Sequence, residues 1–504
     1  MTATVRNYSL TGDEATRSIE RGLAEAEWYQ SPVDPATLAR LHERTNGRAA
    51  VDAVLWVGLL VGSAWLAWTL RSSWWAIPVF AVYGLLYGGS ADARWHEYGH
   101  ATGFRSEWAN KILYYPACFM LLREPTAWRW SHIRHHSDTI IVGRDPEIVF
   151  PRPFARATWV ANLLGLVGVP SMVKRIVRHA GGRLDPAVAS YVPEPEQSKV
   201  VREARIFLAL LAVVVLWAVL TLSLWPLVFI GLPTFYGAWL VLFFGTTQHA
   251  GLPEDVLDHR LNSRTVRMNP VFRFLYLNMN YHIEHHMYPT VPYRNLPALH
   301  REIGSDLPEP TTSTIAAYRE IFAAAKAQQA DPNYQLPRVT AFAEAHGITT
   351  PSSGSAGSSA SAGSVASPPD GSVQINGSNH STAPVTAATD PVEQLVVDGG
   401  GWVTVCPSAE LGPGEVRRFD ANGATFALCR TADRRIYAVD GICTHSRRVH
   451  LAGGAVIGGE LECPKHNGRF DLISGAPTRL PVCEGIATCE ASEIEGQVRV
   501  RVGS

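Results

Sequence analysis

At 504 residues the chain is too long for one hydrophobic core and allows about three units of roughly 150 residues each. A net charge of -1 excludes a polybasic nucleic-acid binder, because neutralising phosphates needs a surplus of Lys and Arg on one surface. Only 18% of the residues are charged, against a typical ~25%, and 15 are Trp, so part of the chain belongs outside water. The 7 Cys lie in the last hundred residues, Cys118 excepted. They are too few for a disulfide scaffold and fit a reducing compartment.

Residues 1–50 mix polar and charged side chains and show no basic start leading into an apolar run, so no cleavable leader is expected. Residues 53–70 and 72–90 are then uncharged on either side of Arg71. That pattern predicts two helices joined by a tight turn, each long enough for a ~30 Å bilayer core. Residues 206–245 carry no charge. As one helix this stretch would be about 60 Å long, so it must fold back, most plausibly near Trp225 and Pro226. Soluble helices of this length show a polar stripe, which these lack. The weaker stretches 112–122 and 157–173, the second carrying Asn162 and Pro170, read as interfacial or buried. Lys and Arg are dense between 94 and 205 (Arg94, Arg105, Lys111, Arg129, Lys174, Arg175, Arg178), while the two turns hold only Arg71. Both termini and the central segment are therefore expected in the cytoplasm, in a multi-pass protein of the cytoplasmic (inner) membrane.

From about Thr349 the composition turns to Ser, Gly, Ala and Pro, which predicts a disordered linker. Short β-like runs separated by Gly, Pro and Asp-Gly return from Trp402. The expected plan is an N-terminal segment (1–50), an α-helical membrane domain of four transmembrane helices plus cytoplasmic helices (51–345), a linker (346–394) and a small all-β domain (395–504).

Histidines carry the chemistry of the helical part. His96 and His100 stand at i and i+4; His132, His135 and His136 stand at i, i+3 and i+4; His282, His285 and His286 repeat that second pattern. On a helix each set projects from one face, so three short helices can aim eight nitrogens at one place. His249, just beyond the fourth predicted span, is a ninth. All lie near the cytoplasmic end of a span, which makes a common site geometrically feasible. His42, His179, His259, His300, His346 and His380 read as single surface or hydrogen-bonded residues. Imidazole suits Zn, Cu, Fe and Ni, but nine ligands exceed the three or four of one tetrahedral zinc, so two metals share them. Glu97 and Glu284 are the acids expected to hold the outer ring nitrogens; Asp92 and Asp138 read equally as further holders or as solvated acids at helix ends. His96-Glu97-Tyr98-Gly99-His100 is also literally H-E-x-x-H, a zinc-hydrolase pattern, but that reading leaves six box histidines unexplained.

In kind, order and distance from four spans, these boxes resemble those of the membrane fatty-acid desaturase and hydroxylase superfamily over residues 50–300. The stretch from Asn278 to Pro289, with Val291, Pro292 and Tyr293, looks most like the branch containing the rhizopine-catabolism hydrocarbon oxygenase. The resemblance implies a non-haem di-iron centre held by His96, His100, His132, His135, His136, His249, His282, His285 and His286. Such a centre uses O2 and two electrons to remove hydrogen from an unactivated C–H bond.

Near the C-terminus, Cys443-Thr444-His445 and Cys463-Pro464-Lys465-His466 form C-x-H and C-x-x-H, a set that a structural zinc would also accept. With Gly468-Arg469-Phe470-Asp471 and Gly475-Ala476-Pro477 following, the segment resembles the Rieske family, in which two Cys hold one iron of a [2Fe-2S] cluster and two His the other. Arg448 and Lys465 stand where quinol-oxidising members carry a further disulfide pair, so the match is with the soluble ferredoxin type. Cys118, Cys406, Cys429, Cys483 and Cys489 are expected to be buried inert thiols.

Together these parts describe a self-supplied membrane oxidoreductase. It would desaturate or hydroxylate a fatty-acyl or other lipid or hydrocarbon substrate, with the Rieske domain as electron donor. Oxidative demethylation of a small methyl-bearing compound is the alternative at the same site, and a membrane-anchored electron carrier with a vestigial histidine region is a reading of another class. A linker of roughly 45 residues has an r.m.s. reach of about 35 to 40 Å, so the cluster is expected to shuttle. No G-x-G-x-x-G opens a helix after a strand, so a separate NAD(P)H-dependent flavoprotein reductase is the implied partner, alongside the bilayer and O2.

Overall fold

A computed structural model describes residues 6–24, 26–148, 150–152, 154–348 and 394–502. The Ser- and Gly-rich linker and His380 lie outside them. Among the described residues, three helices are long and apolar enough to cross a membrane: Pro35–Thr69, Glu194–Leu220 and Trp225–His249. A fourth would arise if Arg156–Leu163 and Gly168–Ala180, bent by 77°, counted as one span. Their outward faces expose Val54, Val61, Trp65, Leu216 and Leu220, an apolar surface that suits lipid rather than water. Both fold-back turns lie at one end, where Trp68 and Trp225 meet edge to face at 6.2 Å, and Trp74 and Trp75 are exposed beside them. Tryptophan at that level is the signature of a bilayer–water boundary.

The expected second span is built differently. Residues 72–90 yield a helix over Ala76–Gly84 that widens into a π-helical turn at Leu85–Gly89, then resumes as Ala91–His100. The cause is close backbone contact with the Trp225–His249 run. A Cβ added at Gly237 would lie 1.9 Å from the Gly84 carbonyl, and one at Gly88 would lie 2.3 Å from that of Pro233. Glycine lets these backbones touch, as small residues do between membrane helices, and the extra residue of the π turn resets the direction in which His96 and His100 project.

The weaker stretches sit at the edge of the helical body. Glu107–Met120 buries Tyr114, Ala117 and Cys118 while exposing Ile112 and Tyr115. Arg156–Leu163 buries no residue.

The C-terminal domain is all β. Its strands are β1 (Gln394–Leu395), β2 (Trp402–Pro407), β3 (Val416–Ala421), β4 (Ala424–Arg430), β5 (Ile436–Asp440), β6 (Ala455–Ile457), β7 (Glu460–Glu462), β8 (Arg469–Asp471), β9 (Pro477–Arg479), β10 (Thr488–Ile494) and β11 (Gln497–Arg501). They form one sheet of order β1-β3-β4-β5-β10-β11-β2 and a smaller one of order β6-β7-β8-β9. Alternating side chains such as Phe419, Leu428, Val498 and Val500 fill the core of the larger sheet. The small sheet frames the two Cys-His loops. Among the remaining thiols, Cys118, Cys406 and Cys429 are buried as expected, but Cys483 is exposed and Cys489 half-buried.

Candidate functional site

All nine histidines converge, and they sort into two groups. In one, ligand atoms of His96, His100, His132, His136 and His285 lie within 4.8 Å of one another; in the other, those of His135, His249, His282 and His286 do. Each H-x-x-H-H box is therefore split. Successive residues of a helix turn by about 100°, so i and i+4 share a stripe while i+3 points about 100° away from i+4. The Pro125–Ser137 helix gives His132 and His136 to the five-histidine group and His135 to the other. The His282–Met287 helix does the reverse, sending His285 to the five-histidine group.

Within the groups the Nε2 atoms stand 2.9 Å apart for His100 and His132, 3.0 Å for His132 and His136, and 3.1 Å for His136 and His285. The separation is 3.0 Å for His249 and His282 and for His282 and His286. Two nitrogens each about 2.1 Å from a common ion lie about 3.0 Å apart at right angles and about 3.4 Å apart at the tetrahedral angle. The spacing therefore suits rings that converge on one ion in each group.

Proton placement points the same way. Asn467 Nδ2 donates to Glu462 Oε1 at 3.1 Å, so its Oδ1 faces His100 Nδ1 at 3.2 Å and must accept from it. His132 Nδ1 likewise donates to Glu147 at 3.2 Å. Both rings then present Nε2 lone pairs to each other at 2.9 Å, an arrangement that needs a shared cation. His96 is buried with neither ring nitrogen paired, a cost that a metal bond removes.

The outer support corrects the sequence expectation. Glu97 accepts from Thr102 Oγ1 at 2.7 Å, and Glu284 accepts from Thr265 Oγ1 at 2.6 Å and pairs with His300. Asp92 pairs with Arg123, and Asp138 with Arg134 and Arg144. All four carboxylates thus brace neighbouring segments rather than the rings of the nine. The rings are held instead by Asp145 on His135 (2.8 Å), Glu147 on His132, the Asn262 carbonyl on His249 (2.8 Å) and Thr139 on His286 (3.2 Å). The sequence signal was present in Asp145-Pro146-Glu147, which begins nine residues after the second box. Burial, then mutual repulsion, holds His96, His132, His136, His282, His285 and His286 neutral well below their ordinary range. At His135 burial works in the same direction, but Asp145 outweighs it and the net shift is upward. Neutral imidazole is the form that binds metal.

A cavity of about 340 Å³ reaches both groups: His96 and His132 from one, and His135, His249 and His282 from the other, line its wall. Val169, Met172, Ala238, Val241 and Leu242 extend the wall into the apolar helices. Arg123, stacked between Trp95 and Trp128 at 4.7 and 4.3 Å, adds a charged patch with Asp92.

In the β domain, Cys443 and Cys463 are buried side by side, and their shared hydrogen bond lowers the Cys443 thiol while raising that of Cys463. The rings of His445 and His466 lie 5.0 Å apart. Ser137 Oγ donates to the Ile133 carbonyl at 3.1 Å and accepts from His466 Nε2 at 2.7 Å. That leaves the lone pair on His466 Nδ1, which is buried and unpartnered, as an iron ligand requires. The domain is thereby seated on the histidine centre. Around this contact Arg44 pairs with Glu462, both buried, and Arg469 bridges Glu462 at 2.8 Å and Glu107 at 2.9 Å. Nothing in the sequence placed Asn467 or Ser137 at this seam.

The family model of fatty acid desaturases matches residues 72–317, and that of the Rieske [2Fe-2S] domain matches residues 401–490. The ferredoxin CarAc of Metapseudomonas resinovorans is 34% identical over 100 residues, which are 20% of this chain and 92% of the ferredoxin. The ferredoxin component of the naphthalene 1,2-dioxygenase system of Pseudomonas aeruginosa is 35% identical over 96 residues, 19% of this chain and 89% of that protein. A cholesterol 7-desaturase of Xenopus laevis is 34% identical over 106 residues, which are 20% of this chain and only 23% of that enzyme. Helices, histidine groups and cluster loops thus define an O2-dependent oxidoreductase with a non-haem di-iron site and a [2Fe-2S] cluster. The chain carries a fatty acid desaturase domain followed by a Rieske [2Fe-2S] domain.

Proposed function

We propose that the chain uses O2 and two electrons to desaturate or hydroxylate an unactivated C–H bond of a fatty-acyl or other lipid-like substrate, its own Rieske domain donating the electrons. His96, His100, His132, His136 and His285 hold one iron, and His135, His249, His282 and His286 the other; Cys443, His445, Cys463 and His466 hold the cluster. The irons supply the O2 chemistry. The chain's residues orient the rings, exclude water and seat the substrate. The observation that carries the reading is the single cavity walled by imidazoles of both groups and continued by apolar helix residues. An apolar chain would lie along Ala238, Val241 and Leu242 with one carbon facing the histidines. The enzyme would work in the cytoplasmic membrane, with four spans, both termini and the metal sites on the cytoplasmic side, and would draw electrons from a separate flavoprotein reductase. The domain plan is a membrane unit over 51–345, a linker over 346–394 and the Rieske unit over 395–504.

Metal analysis and comparative mass spectrometry test this. Purified full-length protein should contain four irons, two of them with sulfide. Membranes holding it should change a lipid-like metabolite in air and not under argon. Zinc in the histidine site, or turnover without oxygen, would sink the reading.

A further inference from the structure

The two cluster histidines differ in exposure. His466 is buried against Ser137, and the next residue, Asn467, grips His100 of the five-histidine group. His445 is exposed and is followed by Arg447 and Arg448, both exposed. Arg447 is 81% exposed and meets Glu484 only at 3.7 Å, and Arg448 lines a cleft that also holds Glu27 and Lys465, so the cations Arg447, Arg448 and Lys465 outnumber the acids Glu484 and Glu27 and the cationic character of the face survives. The inward face is held by the buried Arg44 and Glu462 pair, by Arg469 on Glu107, and by Arg129 on the Leu480 carbonyl at 3.2 Å.

Resting on the electron-donor reading above, we infer that the Rieske domain is charged without leaving its seat, by an acidic one-electron carrier protein that docks on the face formed by His445, Arg447 and Arg448. Each docking moves one electron from the reduced carrier inward, so two dockings supply the pair that the reaction consumes. The linker then serves as a tether, and the shuttling expected from its length is not required. Basic side chains around an exposed histidine select an acidic partner and hasten its arrival at low salt.

A disulfide across the seat separates the two modes. A Cβ on residue 414 would lie 4.0 Å from that of Ala39, within the span of a disulfide. Gly414 has φ +83°, a left-handed conformation that a Cys there adopts under some strain. The probe is an acidic flavodoxin in its reduced form, mixed with full-length Ala39→Cys/Gly414→Cys protein in lipid nanodiscs, before and after opening the disulfide with a phosphine. Stopped-flow absorbance follows cluster reduction and freeze-quench Mössbauer spectra follow the histidine-bound iron. The seated-domain proposal expects both rates to agree within twofold for closed and open forms. It also expects Arg447→Glu/Arg448→Glu to slow cluster reduction about tenfold at low salt, with the difference vanishing in high salt. A closed form that is not reduced, a disulfide that will not form although both thiols react, or charge reversal without effect at low salt would each overturn it. If the cluster fills in both forms but the histidine-bound iron never changes, the electron-donor reading itself fails instead.

Discussion

The two histidine groups share helices and chemistry but differ in what holds them. The four-histidine group is braced from within the helical domain: Asp145, the Asn262 carbonyl and Thr139 fix three of its rings, and only His282 has an unpaired Nδ1. The five-histidine group leaves the Nδ1 atoms of His96, His136 and His285 unpaired and takes one brace, Asn467, from the other domain. Four ligands that are individually fixed can hold an ion through orientation. Five that are looser rely on number, and on a domain that must be present. The five-histidine group is thus the one whose bracing reaches into the Rieske domain.

The largest effects come from single ligands three residues apart in one box. His285→Ala should empty the five-histidine centre and abolish product, whereas His282→Ala should empty the four-histidine centre while leaving the other loaded. Mössbauer spectra of the two variants should be complementary. If both lost the same iron, the split of the boxes would be wrong. Next is Glu462→Ala, which leaves Arg44 buried without its partner. Breaking a buried pair costs about 3–5 kcal/mol, so occupancy of the seat should fall at least a hundredfold, read as slower closure of the Ala39→Cys/Gly414→Cys disulfide. The five-histidine iron should become labile to chelators while the four-histidine iron stays. Asp145→Asn should do the opposite. Loss of such an outer partner typically costs 10–100-fold in metal affinity, here confined to the four-histidine centre and measured by chelator competition.

Much of this was legible beforehand because it is written in local spacing. The i, i+3, i+4 histidines, the C-x-H and C-x-x-H loops and the uncharged stretches each encode geometry within a few residues. What escaped was set by contacts distant in sequence. The 72–90 span is interrupted because Gly88 meets Pro233, some 145 residues on. Glu97 and Glu284 face Thr102 and Thr265 rather than the rings because each helix turns its histidines inward and its acid away. Asn467 supports His100 across 367 positions. No periodicity reports such a pairing.

The smallest expected effect probes the internal bracing most finely. Thr139 Oγ1 donates to the His135 carbonyl at 2.7 Å, so toward His286 it can only accept, from Nδ1–H at 3.2 Å. That bond leaves the Nε2 lone pair of His286 directed at His282 and at the ion. Thr139→Val keeps the shape and removes the acceptor. A neutral hydrogen bond is worth about 0.5–1.5 kcal/mol, so metal affinity at the four-histidine centre should fall about two- to tenfold. Thr139→Ser should restore it. Because His286 lies against His136 of the neighbouring group, with ring centroids 4.4 Å apart, the variant also asks whether the two centres are independent. Chelator release from the five-histidine centre should be unchanged in Thr139→Val; a parallel rise there would mean that the shared ring contact couples the two ions, and that bracing from within the helical domain serves both.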